Sequence, residues 1–138
     1  MASLIFNSAL YDALTGAIDF DTDSFKVLLV TSSYAPNKDT HTKRSDVTNE
    51  VSGTGYSAGG TAATVSVNND TANDRQDVTL GAVNWATATI TAAAAVYYKS
   101  RGGASSADEL VAYIDFGGNI TSTAGTFALT ASTLRLQN

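Results

Sequence analysis

The feature that most constrains this fold is a pair of β-prone runs within residues 85–116. The first run ends at Tyr98, the second begins at Leu110, and a polar stretch containing glycine joins them. Two such runs predict an antiparallel hairpin with a long loop, whose second strand ends at residues 117–118, a glycine pair. The buried residues of this hairpin are predicted to be Trp85, Ile90, Val96, Leu110 and Ile114.

Apolar periodicity in the rest of the chain predicts one helix and several strands. Apolar residues recur at helical spacing over residues 4–16, so this stretch is predicted to be a short helix ending at Gly16. Residues 25–31 are almost continuously apolar, which is typical of a central strand buried on both faces. Alternating patterns predict further strands at residues 61–67, 75–83 and 126–136. The apolar stripe of the helix comprises Ile5, Ala9, Leu10, Ala13 and Leu14.

These elements predict a single, mainly β domain. A chain of 138 residues with 43% hydrophobic content is long enough to bury one core. Short strands, turn-rich links and one N-terminal helix are typical of a sandwich. We expect residues 1–138 to form an antiparallel β-sandwich, with jelly-roll-like connectivity as its specific variant and a long loop at residues 32–60.

The long polar segment at residues 32–60 holds the only proline, the only histidine and four glycines. Segments of this length inside a compact domain are usually functional arms or binding loops. Tyrosine is enriched at protein interfaces, and strand alternation places Tyr97 and Tyr98 on opposite faces, so one of them is a candidate for contact with a partner. The predicted partner interface consists of Tyr34, Pro36, His41, Tyr56 and Tyr98.

One acidic pattern is similar to a calcium-binding loop but lacks the required spacing. Asp19, Asp21 and Asp23 occupy positions one, three and five of such a loop. The sixth position is Ser24 instead of glycine, and the twelfth is Val30 instead of glutamate. We therefore expect an acidic turn between the helix and the first long strand.

The remaining candidates do not predict catalysis. The glycine-rich residues 53–60 lack a phosphate-loop lysine and precede a strand, so we expect them to shape the backbone, with Tyr56 anchoring the loop or meeting a partner. His41 lies in an irregular stretch without a recognisable triad frame, which favours a surface histidine. Asp108 and Glu109 are adjacent, which is poor spacing for a catalytic pair, and are expected at a solvated loop end. We predict no catalytic residue, cofactor or metal.

The net charge and the cysteine content limit the classes of partner and of chemistry that this chain can have. The net charge of −5 argues against nucleic-acid binding, which requires clustered Lys and Arg. The absence of cysteine excludes disulfides and thiolate chemistry. No apolar run approaches the roughly 20 residues of a membrane helix, and the first residues lack the pattern of a secretion signal.

Six stretches of the sequence are distinctive as a set in their order and spacing: residues 26–41, 50–60, 72–75, 83–85, 89–91 and 111–116. Together they resemble a family of small virion-associated proteins of tailed bacteriophages. The resemblance covers roughly residues 8–118, and the run at residues 92–95 departs from it in having few bulky side chains.

The resemblance implies a structural protein of the virion without catalytic residues. It favours a capsid decoration or cement protein that is made in the host cytoplasm, lies on the capsid surface as a homo-oligomer, and binds the major capsid protein. A neck, tail or fibre component is the alternative virion role. A third hypothesis is a small hydrolase or a carbohydrate-binding module in which Trp85 and surface tyrosines stack on sugars.

Overall fold

The computed structural model describes residues 2–138 and is mainly β, as predicted, with 51% strand and 13% helix. Short 3-10 turns occur at Arg44–Asp46, Thr71–Asn73 and Ser105–Ala107. The helix and strands, in chain order, are β1 (Leu4–Ile5), α1 (Asn7–Thr15), β2 (Phe25–Val30), β3 (Thr61–Ala63), β4 (Val65–Asp70), β5 (Arg75–Leu80), β6 (Val83–Lys99), β7 (Leu110–Leu129) and β8 (Ser132–Gln137).

The strands form two antiparallel sheets. The five-stranded sheet has the order β1-β7-β6-β2-β3, and the three-stranded sheet has the order β4-β5-β8. This arrangement confirms the mainly β, sandwich-like prediction with one short helix. Jelly-roll-like connectivity, the more specific variant, stays a prediction.

The five-stranded sheet is covered on both faces around residues 92–98 of β6, which gives the protein two apolar cores. The inter-sheet core contains Val27, Leu29 and Tyr97 and packs against Val78 and Leu80 of the three-stranded sheet. On the opposite face, the segment core is built from side chains of the N-terminal stretch, the long segment and β2, β6 and β7. Its largest members are Phe6, Tyr34, Tyr98 and Tyr113.

The predicted hairpin is present as β6 and β7, joined by residues 100–109. Trp85, Ile90, Val96 and Leu110 are buried as predicted, whereas Ile114 is only partly buried. The prediction that the strand ends at residues 117–118 is wrong, because β7 continues to Leu129. Pairing moves from Ala92↔Ile120 to Ala94↔Asp115, so residues 116–119 form an insertion in β7 that the glycine pair accommodates.

The helix prediction is correct for residues 7–15 and wrong at its start. Residues 4–5 form β1, and α1 begins only at Asn7 and ends before Gly16, which has the left-handed conformation expected at a helix end. Phe6 and Ala9 are buried. Of the predicted apolar stripe, Ala9 is buried, whereas Leu10 and Leu14 are exposed, because Phe6 occupies the segment core and fixes how the helix lies on the sheet.

The predicted strand at residues 61–67 is two strands in different sheets. β3 pairs with β2 in the five-stranded sheet, and β4 pairs with β5 in the three-stranded sheet. The chain changes sheets at Thr64, whose carbonyl oxygen accepts a hydrogen bond from the Gly81 N–H at 2.7 Å. Alternation alone does not reveal this change, since apolar and polar residues continue to alternate through it.

A glycine at position 60 is required for the long segment to approach β2, and its replacement is testable. Gly60 has φ +73°, and a Cβ atom there would lie 1.8 Å from the Val27 carbonyl oxygen. We expect Gly60→Ala to lower the free energy of unfolding in urea by roughly 3 kcal/mol or more, from strain and displaced backbone. Gly102→Ala is the control: its φ is +80° but nothing lies within 4 Å, so a loss of only about 1 kcal/mol is expected. Equal losses would contradict the role of close packing.

Candidate functional site

The long segment at residues 32–60 is fastened to the sheet through Glu50. The Glu50 Oε1 atom accepts hydrogen bonds from the Tyr56 hydroxyl at 2.7 Å and from the Gly59 N–H at 2.6 Å. The Leu29 N–H in turn donates to the Tyr56 oxygen at 3.0 Å, which ties the segment to β2. Burial, and secondarily the Glu50 carboxylate, raise the pKa of Tyr56, so its hydroxyl stays a donor. Tyr56 therefore anchors the segment, one of the two roles predicted for it.

Tyr98 holds the same segment against β6. Its side chain is 1% exposed, its hydroxyl donates to the Gly59 carbonyl oxygen, and the Arg44 guanidinium lies 5.1 Å from the centre of its ring. Burial raises the pKa of Tyr98 to about 12, which keeps the hydroxyl protonated. Tyr97 and Tyr98 face opposite ways, as predicted, but each faces a filled core.

Tyr34 and His41 form a second anchor in the first half of the segment. Tyr34 is buried in the segment core, and its ring stacks on His41 with centroids 5.7 Å apart. The His41 Nδ1 atom accepts from the Asn37 N–H at 3.3 Å and lies 2.8 Å from the Tyr34 hydroxyl. Because Nδ1 is an acceptor, we assign the ring proton to Nε2 and the Tyr34 hydroxyl as donor.

The five residues predicted as a partner interface differ in how far their side chains are exposed to solvent. The side chains of Tyr34, Pro36 and Tyr98 are buried within this chain, and only His41 and Tyr56 retain partial exposure. The structure brings Tyr56 and Tyr98 together around Gly59 and leaves Tyr34 and His41 as a separate pair. Their contact with a partner stays a prediction.

The prediction that Asp108 and Glu109 lie at a solvated loop end is wrong. Each residue is only 1% exposed. The Arg44 Nε atom lies 2.8 Å from Asp108 Oδ2, and the Arg101 N–H donates to Asp108 Oδ1 at 2.8 Å. The Arg101 guanidinium also binds both Glu109 carboxylate oxygens, and Lys43 Nζ lies 3.9 Å from that carboxylate. Adjacent carboxylates gave no signal for this network, since Arg44 is 64 residues from Asp108 in sequence.

The geometry of this buried charge network indicates a structural role. Every carboxylate oxygen of Asp108 and Glu109 meets a cationic or backbone donor from this chain. Carboxylates that are fully engaged with guanidinium groups do not act as general bases. The network instead joins the long segment, through Lys43 and Arg44, to the hairpin connection.

The acidic residues of the predicted turn hold one another through the backbone. Asp23 Oδ2 accepts from the Asp19 N–H at 2.8 Å, and Asp19 Oδ1 accepts from the Asp21 N–H at 2.9 Å. Asp23 also pairs with Lys99 Nζ at 2.7 Å, which attaches the turn to β6. Within residues 2–138, no group of three or more acidic or histidine side chains is arranged to hold a metal ion.

An apolar surface on α1 and the three-stranded sheet was not predicted. Leu10, Tyr11 and Leu14 are 45%, 68% and 88% exposed on the outer side of α1. Beside the end of α1 lies a groove of about 730 Å³, bordered on its far side by Val67 and Leu136. We call the groove lined by Ala13, Gly16, Phe20, Val67 and Leu136 the helix–sheet groove. The strand patterns held a signal for it, since Val67 and Leu136 continue the inward alternation of β4 and β8 past the edge of the core.

The comparisons with known proteins do not supply a function. No family model, no curated protein and no solved structure matches this chain. No helix within residues 2–138 is long and apolar enough to cross a membrane.

The buried network makes a prediction for stability. In Asp108→Asn the amide keeps one oxygen acceptor, so either Arg44 Nε or the Arg101 N–H faces a second donor. We expect a loss of about 3 kcal/mol in the free energy of unfolding, measured by urea denaturation at neutral pH. The control is Asp77→Asn, which removes the exposed pair with Arg135 and is expected to change stability much less. A loss for Asp108→Asn no larger than the control's would show that the network is not needed.

A second prediction concerns acid. The Asp46 carboxylate accepts the N–H groups of Lys43 and Thr42 at 3.0 and 2.9 Å, and these bonds lower the pKa of Asp46 below its ordinary 3.8. A lowered folded-state pKa stabilises the fold fully above pH 3.8, and this stabilisation is lost as the pH falls through the folded-state pKa. We expect Asp46→Asn to cost about 1 kcal/mol near neutral pH, a value that allows for its partial exposure. The difference from wild type should shrink steadily below pH 3.8 in a urea series; a difference independent of pH would refute the assignment.

Proposed function

We propose that this protein is a structural component of a tailed-phage virion, and specifically a capsid decoration or cement protein. The set of motifs that resembles small virion-associated proteins supports the proposal. The structural observation that supports it best is the outward-facing apolar side of α1, with Leu14 88% exposed. Contiguous exposed apolar residues on a folded domain mark sites of protein contact.

A cement protein acts by burying surface between subunits that it joins. In this proposal the partner is the major capsid protein, and copies of the chain lie on the capsid surface as a homo-oligomer. A contact of about 800 Å² on each partner is typical of a specific, stable interface. A sheet filled on both faces and fastened loops keep such a surface in one shape, which lowers the entropy lost on binding.

Two other functions are weighed against this proposal. A neck, tail or fibre component would use the same kind of surface, and copy number per particle separates it from a head protein. A carbohydrate-binding module would need Trp85 to face solvent. Trp85 is instead 5% exposed and lies between Tyr56 and Phe127 at ring-centroid distances of 5.9 and 6.1 Å, so the geometry disfavours sugar stacking on it.

The proposal is tested with capsids of the encoding phage assembled without this chain. Purified wild-type protein is expected to co-sediment with expanded capsids, to saturate in proportion to the major capsid protein, and to raise the temperature at which the heads release DNA. Gly60→Ala, expected to be unstable, is unsuitable as a control, so an unrelated acidic β protein of similar size is used. Failure to bind, together with equal heat stability of heads with and without the protein, would exclude the cement role. Binding at a few copies per particle would support the neck or tail alternative.

A further inference from the structure

The outer side of α1 is apolar although the interior of the protein is complete without it. Phe6 and Ala9 fill the positions where the N-terminal segment meets the sheet, and both are buried. Leu10, Tyr11 and Leu14 point away from that contact and are largely exposed. Apolar residues scattered singly on a surface need no explanation, but three within two turns of one helix indicate a contact surface.

A groove at the end of α1 carries a second set of exposed apolar residues, on the three-stranded sheet. Ala13 and Gly16 line it on the helix side, Phe20 lines it from the turn that follows, and Val67 and Leu136 line it on the sheet side. Val67 is 42% exposed and Leu136 is 64% exposed. Both residues belong to the sheet face whose other members enter the inter-sheet core. The groove is therefore an unfilled continuation of that core and is suited to receive apolar side chains.

The polar rim of the groove is acidic. Asp19 and Asp21 line it, and neither carboxylate forms an ion pair with a Lys, Arg or His of the described residues. Asp23, between the same turn and β6, is already paired with Lys99. The hydrogen bonds from Thr22 and the Asp21 N–H lower the pKa of Asp19, which keeps that carboxylate anionic at neutral pH.

This charge distribution decides between two kinds of occupant. A second copy of the chain, bound through the same groove about a two-fold axis, would bring the two acidic rims towards each other, and each copy already carries a net charge of −5. A segment of another protein with leucine-like side chains beside Lys or Arg satisfies both the groove and the rim.

We propose that the helix–sheet groove binds an apolar segment flanked by basic residues on a partner protein. Under the proposed function, on which this inference rests, that segment belongs to the capsid. Apolar side chains enter between α1 and Leu136, and the basic flank lies against Asp19 and Asp21.

The surface is tested first with a generic probe and the full chain. Fluorescence anisotropy measures binding of a fluorescein-labelled helical peptide of leucine and lysine, and of a matched peptide of leucine and glutamate, at physiological salt. We expect the lysine peptide to bind and the glutamate peptide to bind at least about tenfold more weakly. The double variant Leu14→Gln/Leu136→Gln should weaken binding of the lysine peptide about tenfold or more, because it removes apolar contact without changing charge.

Two further variants test the contribution of the acidic rim and the specificity of the groove for binding. Asp19→Asn/Asp21→Asn should weaken the lysine peptide several-fold at low salt and flatten its salt dependence. Ile120→Gln is the matched control, since Ile120 is 48% exposed but lies in β7 next to the insertion, away from the groove, and this variant should bind as wild type. Unchanged binding by the leucine double variant, or equal binding of both peptides, would overturn the proposal. Sedimentation that shows a wild-type dimer and a monomeric leucine variant would assign the surface to a second copy and would also overturn it.

The same variants distinguish this inference from the proposed function. If wild-type protein binds the lysine peptide as expected but no capsids, the capsid role fails and the groove stands. If wild type binds capsids and the leucine double variant binds them equally well, the capsid role stands and the groove is not the contact.

Discussion

The fold depends on the burial of two consecutive tyrosines on opposite faces of one strand. Tyr97 extends into the inter-sheet core, and its hydroxyl donates to the Gly81 carbonyl oxygen at 2.8 Å, where the three-stranded sheet joins β6. Tyr98 extends into the segment core, and its hydroxyl donates to the Gly59 carbonyl oxygen. A strand with large side chains on both faces needs a layer on each side. One layer is the second sheet, and the other is the N-terminal stretch with the first part of the long segment, so the segment is a structural layer as well as a connection.

The charged residues explain how an irregular segment serves as a layer. Loop backbone that packs on a sheet must find partners for its polar groups, and Glu50 supplies one for Gly59 and Tyr56 while Asp46 supplies others. Asp108 then attaches the segment to the hairpin connection through Arg44. Removing one member of such a buried pair leaves the other desolvated without compensation, which makes the network specific for one position of the segment. Hydrogen bonds to carboxylates and an ion pair therefore anchor the segment where it has few apolar side chains.

Local patterns predicted the parts of this fold that local physics determines. The continuous apolar run of β2, the hairpin and the opposite orientation of Tyr97 and Tyr98 all follow from strand periodicity, and the structure confirms them. The incorrect predictions concern places where contacts between residues far apart in the sequence determine the structure. The alternation through Thr64 is the same whether the strand stays in one sheet or changes sheets, and the adjacent carboxylates Asp108 and Glu109 read as solvated until Arg44 and Arg101 are placed beside them. The candidate groove was missed for the same reason, because helical spacing identifies an apolar stripe without saying which way it faces.

The exposed side of α1 is best understood from what Phe6 does. A nine-residue helix has little stability of its own and must be held by tertiary contact. That contact is made by Phe6 and Ala9, with the Phe6 N–H bonded to the Val111 carbonyl oxygen at 3.1 Å and the Asn7 N–H bonded to the Lys38 carbonyl oxygen at 2.9 Å. Leu10 and Leu14 therefore contribute little to the fold, and their exposure in water carries a solubility cost that the fold does not require. This apolar surface is not explained by stability, and the same helix lines a groove whose acidic residues, Asp19 and Asp21, form no ion pair with a Lys, Arg or His within residues 2–138. Binding therefore explains the surface better than folding does.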